Sequence, residues 1–139
     1  SATYRDGYMA DGMLTFFGRH AVRKARRCGE IVLERVQNRG FKLDRTNIEC
    51  IGAGDVVPGV TPKISEWDLR ECVLRICVAD QRREAVECFS KELAPLVTSG
   101  AQGTTGYAGG RPKVRPVFGY WPCLLETNCV IPKVETLSS

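Results

Sequence analysis

Five cations crowd one short stretch of the chain: Arg19, Arg23, Lys24, Arg26 and Arg27. Helical periodicity starts at the same place, so these side chains sit in the first turns of a helix. Positive charge there opposes the helix macrodipole, and an anion would relieve it. The chemistry this points to is phosphate binding, for instance to the nucleotide end of coenzyme A. No resident cofactor is indicated. The competing reading is a solvated face, with Arg26 and Glu30 at i,i+4 spacing and Glu34 nearby, which is the commoner arrangement.

A second feature is the glycine-rich run from Gly100 through Gly103 to Gly106. It resembles a phosphate cradle, but such cradles lie between a strand and a helix N-terminus, where free N–H groups meet the anion. This run follows a helix and precedes a strand. Close backbone approach to a ligand or another domain is left, with a connector as the plainer alternative. The candidate ligand-binding set is therefore Arg19, Arg23, Lys24 and Arg27 with Gly100, Gly103 and Gly106.

Other chemistry is thinly represented. His20 is the single histidine, which rules out histidine triads and histidine metal clusters within these residues; a surface imidazole is the expectation. Glu71 and Arg75 share one face of a predicted strand but lie about 13 Å apart. Each then needs a partner outside that strand, and an ion pair across an interface fits better than catalysis. No G-x-S-x-G elbow is present. The seven cysteines include no C-x-x-C pair, so neither a disulfide framework nor a zinc site is expected, and reduced thiols on apolar faces are.

The elements that must position these residues follow from periodicity. Met13–Phe17 reads as a strand between Gly12 and Gly18, preceded by a separate short extended piece around Tyr4–Ala10. From Arg19 to Asn38 an apolar stripe at Val22, Ala25, Cys28, Val32 and Val36 predicts a helix, stopped by Gly40. Thr46–Ile51 alternates as a second strand. A loop of roughly 15 residues, Ala53–Asp68, is long for a compact domain. Leu69–Ala79 alternates as a third strand, and Asp80 is placed to cap the helix after it. Val86, Phe89, Leu93 and Val97 give that helix its stripe, Pro95 kinks or ends it, and Gly100 closes it. After an extended glycine loop over Ser99–Gly110, Val114–Trp121 and Cys129–Val134 read as the last strands.

Strand–helix–strand–strand–helix–strand is the split βαβ order, an α+β ferredoxin-like sandwich with two helices on one face of an antiparallel sheet. The opposite face carries Glu71, Val73, Arg75 and Cys77, too apolar to be left to water. These four are the candidate interface, to be met by the remainder of a longer chain or by a second copy.

Bulk properties agree with one domain: 139 residues, 43% hydrophobic and 26% charged, with a net charge of +4. No apolar run is long enough to span a membrane and no leader-like segment opens the chain, so a cytoplasmic protein is expected. Basic residues are not interleaved with aromatics, so nucleic acid is not an expected partner. The start at Ser1 suggests a domain of a longer polypeptide.

Taken in order, several segments resemble a known family. They are Tyr4-Arg-Asp-Gly-Tyr8, Gly18 with Ala21, Lys24 and Ala25, Glu30-Ile-Val32, the Glu71–Arg75 strand, Leu96-Val-Thr-Ser-Gly100, and the ending Trp121–Val130 with Pro132, Val134 and Glu135. The resemblance is to the acyclic terpene utilisation protein A (AtuA) family. Two positions depart from it: Gly100-Ala-Gln-Gly103 stands where the family tends to Gly-Pro-Ala-Gly, and Glu126-Thr-Asn128 where it tends to a basic residue. The resemblance implies a C-terminal ferredoxin-like region behind a larger α/β portion. It also implies a place in the catabolism of acyclic terpenes, whose acids are processed as coenzyme A thioesters. It transfers no catalytic residue.

Overall fold

The computed structural model describes residues 2–60, 69–106 and 110–136. Residues 61–68 of the long loop and Gly109 of the glycine-rich stretch lie outside them. Five strands form one antiparallel sheet: β1 (Ala2–Phe17), β2 (Arg45–Ile51), β3 (Glu71–Asp80), β4 (Thr104–Gly106) and β5 (Arg115–Trp121). The order across it is β2-β3-β1-β4, and β5 pairs with β1. Both β4 and β5 run antiparallel to β1, at Leu14–Phe16 and at Ala2–Met9 respectively, so together they serve as the fourth strand of a ferredoxin-like sandwich. The helices are α1 (Ala21–Asn38), α2 (Arg83–Leu93) and the single turn α3 (Leu96–Ser99).

Alternation builds the core. Ala10, Leu14 and Phe16 of β1, Cys72, Leu74, Ile76 and Val78 of β3, and Cys50 of β2 point toward the helices and are buried. Val22, Ala25, Cys28, Val32 and Val36 of α1 and Val86, Phe89 and Leu93 of α2 close over them. Gly29 lets α1 settle on the sheet, because a Cβ there would stand 3.1 Å from Ile48 and 3.3 Å from Leu74.

Several sequence expectations need correction. The first two extended pieces are one strand of 16 residues. Its glycines punctuate nothing. A Cβ at Gly12 would collide with Leu93, so glycine there makes room for α2. Gly7, at φ 79°, forms a bulge where the β1–β5 register shifts between Arg5 and Tyr8. α1 starts at Ala21, after His20 at φ 57°, the only non-glycine residue with positive φ among those described. The glycine-rich stretch includes β4 and so is not wholly loop. Cys129–Val134 is not a strand: Thr127–Cys129 is a 3-10 turn, no strand pairs with residues 130–134, and Val130, Ile131 and Val134 are exposed. Pro132 there also lacks a ladder donor.

Asp80 is the last residue of β3 rather than the helix cap, a position held by Arg82. Its buried carboxylate accepts from the Arg82 backbone N–H at 2.8 Å, the Arg82 guanidinium at 2.8 and 2.9 Å, and the Asp44 N–H at 3.3 Å. The Arg82 side-chain bond is the largest influence holding Asp80 below its usual value, against the opposing effect of burial. A lowered carboxylate stabilises the fold above the unfolded value of about pH 4, and that contribution is lost as pH falls through the lowered value. Asp80→Asn is therefore expected to cost about 1–3 kcal/mol at neutral pH. Urea titrations of both forms should show the gap closing as pH drops below about 4.

Candidate functional site

A cavity of about 700 Å³ forms a groove between α1 and the α2–α3 turn. Pro95 creates its second wall. It ends α2 at Leu93 and starts α3, turning Leu96, Ser99 and Gly100 toward α1. From the predicted ligand-binding set the groove brings together Arg23, Lys24, Arg27 and Gly100. Arg19 lies ahead of the helix and does not line it, nor do Gly103 and Gly106.

Several of these residues also have a structural task. Lys24 Nζ donates to the carbonyls of Phe17 at 2.9 Å and Gln102 at 2.6 Å, tying the glycine-rich stretch to the end of β1. The Gly103 carbonyl accepts from the Phe17 N–H at 2.9 Å, and φ 86° at Gly103 demands glycine. Gly106 pairs with Leu14 in the β1–β4 ladder. Arg27 bonds Glu30 at 3.0 Å and Glu34 at 2.9 Å, and the Glu30 bond leads in raising its guanidinium further. Arg26 reaches Asp55 at 2.9 Å, and Asp55 in turn accepts the Cys50 N–H at 2.8 Å, anchoring the start of the long loop.

Sequence reasoning missed Ile31, Arg35, Glu92 and Leu96 as groove residues. Half of the signal was there: Arg23, Arg27, Ile31 and Arg35 form one i+4 row along α1, beside the buried stripe. Glu92 closes the far end, buried and paired with Arg35 at 2.6 Å and Arg39 at 3.1 Å. The groove thus has cations along its rim and an apolar floor of Cys28, Ile31, Leu96 and Ala101. Its carboxylate is already shared by two arginines, so what the arrangement offers is anion binding rather than proton transfer.

Among the thiols, Cys72 is lowered chiefly by its hydrogen bond with Cys50, against the opposing effect of burial. All seven cysteines are free. Buried Cys50 is raised chiefly by its hydrogen bond with Cys72, and burial adds to this. Burial likewise raises Cys77 and Cys88. Among the described residues no group of His, Cys, Asp or Glu is placed to hold a metal.

The predicted interface residues lie on the sheet face away from the helices. Glu71 is exposed, and Val73, Arg75 and Cys77 are half-buried. Arg75 pairs with Glu49 of the neighbouring strand, so its partner is inside the sheet and not across an interface. Arg115 and Asp11 make a second cross-strand pair at 2.9 Å.

The family described as "Acyclic terpene utilisation family protein AtuA" matches residues 1–136. The chain belongs to this family. Among curated proteins and among solved structures, none matches it. Membership associates this AtuA chain with acyclic terpene utilisation. Among its described residues no helix is long and apolar enough to cross a membrane.

Proposed function

We propose that this chain is a non-catalytic accessory or assembly domain of an AtuA-family protein, serving acyclic terpene catabolism by docking through its uncovered sheet face. The observation that carries this reading is the set of apolar side chains left exposed along this face. Phe17, Met13 and Met9 lie along it on β1 and Val73 and Cys77 on β3, interleaved with Thr15, Asp11 and Arg75. The bulge at Gly7 inserts one residue into β1 and so reverses its alternation. Tyr4 and Trp121 consequently fall on the same side, extending the surface beyond the domain body. Their rings meet edge-on, with centroids 6.4 Å apart, and Trp121 is 67% exposed and Phe17 55%. Exposed aromatic and apolar side chains grouped among polar residues mark a surface that a partner covers.

The occupant is protein: a second copy, or the remainder of a longer polypeptide. Light scattering is expected to find this chain self-associated, and Phe17→Ser with Trp121→Ser to shift it toward monomer. A monomer that still binds an apolar dye would assign the face to another part of the polypeptide. A monomer that binds none would defeat the proposal.

The rival reading is an enzyme part that binds or processes an acyl-coenzyme A at a domain boundary. One observation favours it: Arg23, Lys24, Arg27 and Gly100 converge on one groove. Thermal shift with coenzyme A tests it, and no stabilisation at millimolar ligand removes it.

A further inference from the structure

We propose that the α1–α3 groove binds a single-headed anionic amphiphile, an apolar chain ending in one carboxylate or phosphate. The head lies at Arg23 and Arg27 and the chain over Ile31 and Leu96. The inference stands apart from the assembly reading, because the groove and the uncovered sheet face are on opposite sides of the sheet.

Charge selects the head. Arg23, Lys24 and Arg27 crowd one end of the groove, and the first turn of α1 contains no acidic residue. Arg27 also holds Glu30 and Glu34, neither of which lines the groove, so a bound head shares its guanidinium with them. The positive end of the α1 dipole adds to them. Lys24 is held by two carbonyls, yet neither carries a formal charge, so its positive charge still acts on the groove. Among the residues lining the groove, Glu92 is the one carboxylate, and it lies at the far end between Arg35 and Arg39.

The floor selects the tail. Cys28, Ile31, Pro95, Leu96 and Ala101 present carbon and sulfur rather than hydrogen-bonding groups. His20 is the one aromatic ring among the lining residues, and no Phe, Tyr or Trp is there to stack a purine. An apolar chain needs no such platform. From Arg23 to Ile31 the helix rises about 12 Å, room for a chain of medium length. The volume of about 700 Å³ falls within the range of small-molecule sites.

Calorimetry on the whole chain with four probes tests this, each kept below micelle-forming concentrations. Decanoate and decyl phosphate supply head and tail together; decanol lacks the charge and coenzyme A lacks the tail. Decanoate or decyl phosphate is expected to bind about tenfold or more tightly than either of the others, and the stronger of the two identifies the head. Arg23→Gln combined with Arg27→Gln should cost that ligand about tenfold in affinity, as should Leu96→Gln. Both arginines are exposed, so the charge variant should keep the circular dichroism of the parent. The methyl resonances of Ile31 should shift with the ligand in the parent protein. Equal binding of decanol would overturn the proposal by removing the head. Equal binding of coenzyme A would overturn it in favour of a nucleotide site. Absence of saturable binding by both acids, or affinity indifferent to both variants, would overturn it outright.

Discussion

Phe89→Ala should unfold more of this protein's stability than any surface change, costing about 3–5 kcal/mol. Phe89 is wholly buried on the apolar stripe of α2, in the same cluster as Phe16, Val86 and Leu93. Truncation loses the transfer energy of the ring and leaves a cavity that two helices and a sheet cannot collapse around. For a chain of this size the expected fall in melting temperature is on the order of 10–20 °C. Phe118 supplies the contrast, being 66% exposed on β5. Phe118→Ala should change stability by no more than about 0.5 kcal/mol. Calorimetric melts of the two variants side by side check the pair of expectations, and comparable losses would mean that the core has been wrongly placed.

Gly7→Ala should be nearly as damaging, for a reason that has nothing to do with the hydrophobic core. Gly7 sits at φ 79°, and a Cβ there would stand 2.6 Å from the Asp80 carbonyl oxygen and 3.1 Å from the Gln81 Cα. Both neighbours are backbone, so neither can swing aside. Left-handed strain and the forced displacement together should cost about 2–4 kcal/mol. The displaced atoms belong to the turn that Asp80 organises with Arg82 and Asp44. Gly110 is the control. It has φ 70° but nothing within 4 Å of an added Cβ, so alanine there pays only the strain, about 1–2 kcal/mol. Denaturant unfolding of both variants separates clash from strain, and equal losses would argue that the bulge at Gly7 is not tightly packed.

The sequence made legible whatever a single period encodes. The 3.6-residue stripe of α1 from Val22 to Val36 and the strict alternation of β3 from Cys72 to Val78 each place a buried face without reference to the rest of the chain. Together with the element order they suffice for the ferredoxin-like arrangement. Glycine misled because its local meaning is ambiguous. Gly12 looks like a strand end and Gly7 like any residue of an extended piece, and only the position of Asp80, Leu93 and Pro112 in space shows that Gly7 makes a bulge and Gly12 makes room. Cys129–Val134 misled in the opposite way: its composition suits a strand, but Pro132 lacks a ladder donor and no described strand pairs with it. The groove was half legible. Its cationic wall is one row on one helix, whereas Leu96, Ser99 and Gly100 reach it only through the turn at Pro95. Residues so far apart in sequence share no pattern that a window can detect.

The long β1 strand also has a bearing on how the chain is made. Its partners along one side are β4 and β5, and Ala2 finally lies opposite Trp121. During synthesis that side of the strand stays vacant along Ala2–Met9 until more than a hundred further residues have left the ribosome. Pairings so distant in sequence form slowly, and a vacant strand edge invites the wrong neighbour meanwhile. Nascent chains truncated before Arg115 should accordingly be held by chaperones or aggregate, and release should coincide with the arrival of β5.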